Sequence, residues 1–176
     1  YAFRELRRQL VSEGWFKPTV FGEAKKLLPW FASTAAGIAC IRAGRGPLVA
    51  LTGVVLLAIG NTLSGWLAHD YVHGRSRWCS AMRPFGELVG GMSPTWWSMK
   101  HNMHHALTNE IGYDEDVALE PAIYLWQPDP KMDSPLRKFQ HLYWPIPFSV
   151  LFLYWRFDSI KYVLKHKKWS EAARLA

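Results

Sequence analysis

The chain has 176 residues, of which 49% are hydrophobic, 15% aromatic and only 20% charged, with 10 Trp. Soluble domains carry about a quarter charged residues, and disordered chains lack large apolar side chains, so the composition excludes disorder and leans away from an ordinary soluble globule. Two cysteines, Cys40 and Cys79, are too few for a disulfide framework and read as reduced thiols. The net charge of +7, from 21 Lys and Arg against 14 Asp and Glu, suits a nucleic acid, an anionic membrane face or an acidic partner, and the positions of the charges decide between them.

Phe3, Leu6 and Leu10 recur at helical spacing with Arg4, Glu5, Arg7 and Arg8 between them, and Gly14 offers a stop. Residues 1–26 are expected to form an amphipathic segment lying on a surface, and without an apolar h-region they are no signal peptide. Leu27 to Ile41 then gives 15 uncharged residues, Arg42 to Pro47 a turn, and Pro47 to Ala68 another 22 uncharged residues. A span of the hydrocarbon layer takes about 20 residues, so 27–68 reads as a transmembrane helical hairpin. Trp30 and Trp66 would sit at one bilayer face. Six Lys and Arg in residues 1–26, and Arg75, Arg77 and Arg83 after the hairpin, place both ends in the cytosol. A third run, Leu142 to Trp155, has 14 residues and holds Pro145 and Pro147; it is expected to be a membrane or interfacial segment, with 156–176 a basic, solvated or phospholipid-facing tail. The predicted fold is therefore all-α, a polytopic membrane protein in one domain over 1–176, with a histidine-rich cytosolic region at 69–141.

Five of the seven histidines lie between positions 69 and 105. His69 and His73, in HDYVH, project from one face of a helix that continues the second run, and Gly74 ends it. His101, His104 and His105 follow Gly90, Gly91, a Ser93 N-cap and Pro94 at the first helical position, so HNMHH also falls on a helix with its imidazoles gathered on one surface. Neutral imidazoles with nearby carboxylates and no Cys suit iron, zinc or copper. Five histidines exceed one zinc site and favour a dinuclear centre. A zinc protease would need Glu where Asp70 stands, and Asp70 reads as a carboxylate orienting a ligand ring.

At these residues the sequence resembles the membrane fatty acid desaturases, whose His-x-x-x-His and His-x-x-His-His boxes are matched by HDYVH and KHNMHH. TNEIGYDEDV and QHLYWPIPFSVLFLYWRFDSI are similar to the front-end branch (Δ5, Δ6, Δ8 and sphingolipid desaturases). The third, Gln-x-x-His-His box and the HPGG haem sequence of a fused cytochrome b5 domain are absent, so the chain is expected to be the middle of a longer enzyme, unable to hold two irons by itself. The resemblance implies a di-iron centre on His69, His73, His101, His104 and His105. With O2 it would remove two hydrogens from neighbouring methylenes, leaving a cis double bond. Electrons would come from cytochrome b5, the substrate would be a fatty acyl lipid or acyl-CoA, and the enzyme would lie in the endoplasmic reticulum membrane with its boxes facing the cytosol. Iron also suits redox work that zinc cannot do.

Asn102, Asn109, Asp114 and Asp116 are candidates to hydrogen-bond ligand rings, against the plainer reading of helix-surface residues and a solvated acidic loop. Trp96 and Trp97 are candidate walls of an acyl tunnel, against packing or interfacial anchoring. His141 belongs to no box and reads as a capping or hydrogen-bonded residue, and His166 as solvent-exposed. Nucleic-acid binding is not expected, because the basic residues cluster at the ends of apolar runs. Two rivals remain at this point: a di-iron membrane hydroxylase with similar boxes, and a membrane metal-binding or transport protein, which would place its ligands within the spans.

Overall fold

A computed structural model describes residues 2–126, 129–131 and 133–176, and among them there is helix, turn and loop but no strand. The chain forms two compact units, one ending at Gly90 and the other beginning at Gly91.

The first unit is built on a helical hairpin. Helix α1 (Ala2–Ser12) is amphipathic, with Phe3 and Leu6 exposed, and gives way to a turn around Gly14. Helix α2 (Val20–Ala43) is capped by Thr19, whose hydroxyl accepts from the Gly22 N–H at 3.0 Å, and it carries Pro29 in its interior. It is longer than the uncharged run because the amphipathic stretch before Leu27 is helical too. A left-handed Gly44 ends it, and α3 (Pro47–His73) returns, with Pro47 opening the helix and the Gly74 N–H bonding back to the Asp70 carbonyl at 2.9 Å.

The two helices meet through small residues, which let backbones approach where long side chains would hold them apart. Gly53, Gly60 and Ser64 are buried on α3, Gly37 on α2. A Cβ added at Gly37 would stand 2.8 Å from the Leu57 side chain and 3.0 Å from both the Gly53 carbonyl oxygen and the Leu57 amide nitrogen. Two of these are backbone atoms that cannot swing away. Gly37→Ala should cost about 1–3 kcal/mol of stability, as overpacking does. A thermal melt in detergent would read this, and an unchanged Tm would mean that the seam has room.

The outer faces of the hairpin are apolar and exposed, with Phe31, Leu48, Leu51, Val54 and Trp66 among them. Of the described helices, α3 alone is long and apolar enough to cross a membrane. Trp30 and Trp66 do not behave alike: Trp66 is exposed, whereas Trp30 packs edge-on against Phe85 at 5.0 Å, and Phe85 also meets Tyr71 at 5.9 Å. At this end Glu23 accepts from the Tyr71 hydroxyl (3.2 Å) and the Trp78 indole N–H (2.7 Å), joining α2 to α3 and to α4 (Arg77–Met82). A π-helical turn, Gly86–Gly90, closes the unit.

The second unit holds α5 (Pro94–Ala106), an irregular acidic loop, a 3₁₀ turn (Pro135–Phe139), α6 (Gln140–Tyr143), α7 (Pro145–Lys165) and α8 (Trp169–Leu175). The loop is tethered by Gln140, whose amide donates to the Tyr124 carbonyl (2.9 Å) and accepts from the Tyr124 N–H (3.0 Å). Helix α7 differs from the expected 142–155 segment. It starts at a proline, where a missing N–H costs nothing, and runs through Arg156 for ten residues more, burying Ser159 and Val163. The basic tail is not wholly solvated either: its end is helical and Glu171 is buried.

Candidate metal centre

In the first unit His69 and His73 lie one turn apart at the end of α3, with ring centroids 4.6 Å apart. Neither ring is exposed to the degree of a surface side chain. Asp70 stands beside them, but its oxygen is 3.6 Å from His69 Nδ1, too long for a hydrogen bond, and its carboxylate takes Lys26 Nζ at 3.2 Å instead.

In the second unit α5 brings three imidazoles together. The His101 ring stacks on His104 at 5.1 Å and meets His105 at 4.6 Å. The Ser93 hydroxyl caps the helix by accepting from the Trp96 N–H at 3.0 Å, and Pro94 occupies its first turn. Behind His101, Trp97 stacks at 4.5 Å and 29° and packs edge-on against Trp155 of α7.

The acidic loop folds back under these rings. Asp116 contacts His101 Nδ1 and forms an ion pair with the buried Lys100. Asp114, 2% exposed, has one oxygen against both His104 Nδ1 (2.9 Å) and the Asn109 N–H (2.8 Å), while the other accepts from the Asp116 N–H at 3.0 Å. Burial pushes the Asp114 carboxyl up, but the Asn109 amide, the His104 ring and the Asp116 amide together outweigh it and hold it below the usual carboxylate range. For Asp116, burial is likewise overcome by Lys100 first and His101 second.

The electrostatics fix the tautomers. An ionised carboxylate only accepts, so His101 and His104 each carry a proton on Nδ1, and the lone pair of the neutral ring is left to Nε2 on its far side. A carboxylate behind a histidine is how metal-ligating imidazoles are held and made more basic. Donor atoms of His104, Asp114 and Asp116 also lie within 4.8 Å of one another. The donor set, imidazole and carboxylate without thiolate, fits a first-row metal such as iron.

The fatty acid desaturase family model matches residues 45–175, about three quarters of the chain, from α3 to α8. The chain belongs to the fatty acid desaturase family. It is 34% identical to an acyl-lipid 8-desaturase of Rebecca salina over 92% of its own length and 40% of that protein. It is 33% identical to an acyl-lipid (9-3)-desaturase of Physcomitrium patens, over 89% of the chain and 34% of the relative. A delta(8)-fatty-acid desaturase of Euglena gracilis is 29% identical over 90% of the chain and 39% of its own length. The chain thus spans about two fifths or less of these curated relatives. No solved structure matches it.

The remaining residues singled out in this sequence of the desaturase family take several roles. Asn102 is exposed on α5 and makes no side-chain hydrogen bond among the described residues. Asn109 works through its backbone: at φ 64° it occupies the left-handed region that asparagine tolerates, and so turns its N–H onto Asp114. Trp96, 1% exposed, donates its indole N–H to Asp158 at 2.9 Å, so it pins α5 to α7. Trp97 is the stacking partner of His101. His141 is exposed on α6, and His166 caps α7 with its ring 4.3 Å from Tyr162.

Lys100 and Glu171 escape a sequence reading. Lys100 precedes the first histidine of its box and gave no periodic signal, yet it neutralises Asp116 and lies over the Trp155 ring at 5.6 Å. Glu171 sits 66 residues downstream of His105, and only the tertiary fold returns it to α5.

Proposed function

We propose that this chain is part of a front-end fatty acyl desaturase in which His69, His73, His101, His104 and His105 supply nitrogen ligands to a di-iron centre. The observation carrying this reading is the pairing of His101 Nδ1 with Asp116 and of His104 Nδ1 with Asp114, which leaves Nε2 as the ligating nitrogen of each neutral ring, within a segment that the desaturase family model matches. Iron bound there supplies redox chemistry and O2 activation, which imidazole and carboxylate cannot provide by themselves.

The protein's own contribution is orientation. Asp114 and Asp116 hold the ring protons at Nδ1, Lys100 keeps Asp116 charge-balanced, and Trp97 fixes the plane of His101 by stacking. Asp70 belongs to the same proposal through the Lys26 pair that holds it beside His69, and Asn109 through Asp114. Trp96 and Trp97 are assigned to support of the helix rather than to a tunnel wall.

The relatives' names support an acyl chain on a lipid as substrate; in this proposal two hydrogens from neighbouring methylenes, with two electrons from the donor and two protons, reduce O2 to two waters and leave a cis double bond. Cytochrome b5 is the electron donor in this proposal, and the endoplasmic reticulum membrane the location, with α2 and α3 as a transmembrane hairpin. The apolar outer faces of both helices and the length of α3 support that placement. The histidine-bearing helices then face the cytosol, where a water-soluble donor reaches them.

Lipid analysis of cells expressing the gene that encodes this chain tests the reaction. New double-bond isomers are expected. New hydroxyl groups without double bonds would assign a hydroxylase instead, and an unchanged lipid profile with unchanged iron content would overturn both.

A further inference from the structure

We propose that Glu171 is a positioning residue for the second histidine cluster: its buried carboxylate fixes the start of α5, and with it the direction in which His101, His104 and His105 point. The inference rests on the reading of those histidines as metal ligands and adds a residue that no box contains. Glu171 lies on α8 and is 9% exposed. One of its oxygens accepts from the Ser93 hydroxyl and lies 3.4 Å from the Thr95 N–H, and the other accepts from the Thr95 hydroxyl.

Ser93 is the hinge of the arrangement. It is wholly buried. Its hydroxyl gives its proton to Glu171 and so turns its lone pairs toward the Trp96 N–H. Its own N–H donates to the Ser159 hydroxyl of α7 at 2.7 Å, and its carbonyl accepts from the Trp97 N–H at 2.9 Å. The N-terminal turn of α5 is therefore held by α8 through Glu171 and by α7 through Ser159 and Asp158. A negative charge there also complements the helix dipole.

A helix held at one end by several hydrogen bonds cannot rotate about its axis without breaking them. His101 lies five residues beyond Trp96, and a rotation of α5 would carry its ring off Asp116 and off Trp97. The carboxylate at Glu171 thus acts on the imidazoles through the backbone between Ser93 and His101, without touching them.

The test uses the protein in detergent, with Co2+ as the probe and its visible absorption band and binding isotherm as readouts, beside amide hydrogen exchange over 94–106 in the metal-free protein. Glu171→Ala is expected to speed exchange in that segment, leave α2 and α3 unchanged, lower Co2+ affinity roughly 10–100-fold and alter the band. Glu171→Gln is expected to recover most of the loss, since its oxygen accepts from Ser93 and its NH2 donates to the Thr95 hydroxyl. Should Glu171→Ala fail to accumulate, Thr95→Ala, which removes one of the donors and leaves the Ser93 cap, is read by the same criteria. A Co2+ band and affinity equal to wild type in the truncated variant would overturn the proposal, as would a glutamine variant no better than alanine. Wild-type protein that binds no Co2+, or His101→Ala protein that binds it normally, would instead overturn the metal reading beneath it.

Discussion

Replacing His101 with alanine is expected to abolish the desaturated product, at least a 100-fold loss by the scale on which even outer-shell changes cost roughly 10–100-fold, while the protein stays in the membrane fraction. His101 is the most constrained imidazole of its cluster: 9% exposed, stacked on Trp97 and His104, and bound through Nδ1 to Asp116. Alanine removes the outward lone pair and leaves Asp116 with Lys100 as its remaining side-chain partner. Iron content should fall with product. His141→Ala is the matched control, since its ring is exposed on α6 and belongs to no box; product and iron should remain at wild-type levels. Gas chromatography of total lipids and iron analysis of the purified protein read both variants, and activity surviving in His101→Ala would strike His101 from the ligand set.

Asp114→Asn should separate folding from metal binding more sharply. The carboxylate serves three donors: the Asn109 N–H, the Asp116 N–H and His104 Nδ1. A carboxamide has one oxygen and must turn its NH2 group toward one of these positions. Facing His104, the NH2 donates to Nδ1, the ring proton moves to Nε2, and the outward lone pair is lost. Facing the Asp116 amide, it opposes a donor and loosens the turn that carries Asp116 to His101. Either way metal affinity drops, by roughly 10–100-fold, with the helices intact. Circular dichroism and a metal titration on the same sample check this; unchanged affinity would mean that His104 does not use Nε2.

How much of this was legible beforehand depends on the range of the interaction concerned. Helix α5 was readable because its start is local: Ser93, Pro94 and the preceding glycines act within one turn. The end of α3 at Gly74 is local in the same sense. Asp114 and Asp116 were readable as candidates from composition, yet which histidine each serves depends on a loop path through the left-handed Asn109. Asp70 is a candidate by its adjacency to His69, and one of its oxygens stands 3.6 Å from that ring; its tie to Lys26, a cation 44 residues away that meets the other oxygen at 3.2 Å, is a tertiary contact that the local sequence does not show. Trp30 and Trp66 match by position along the hairpin, but Phe85, beyond the apolar runs, packs on Trp30 while Trp66 stays exposed. The reach of α7 past Arg156 is hidden because the charged residues there, Arg156, Asp158 and Lys161, look like the end of an apolar run, whereas the helix carries on with Lys161 exposed, Asp158 taking the Trp96 indole N–H, and Ser159 and Val163 buried.

Pro29 has a bearing on how deep the hairpin can sit in lipid. A proline within a helix withholds the N–H that the carbonyl four residues earlier would take, here that of Lys25. Hydrocarbon offers such an oxygen no substitute, and stranding it there costs several kcal/mol. In the proposed transmembrane placement the bared oxygen would lie on the watery side, so α2 would enter the oily layer near Pro29 and leave it by Ala43, a path of about 22 Å at 1.5 Å per residue. Its neighbour α3 offers about 33 Å over its uncharged stretch against a layer of roughly 30 Å. Two legs of unequal reach, locked along a glycine seam, would force the surrounding leaflet to thin beside the shorter one.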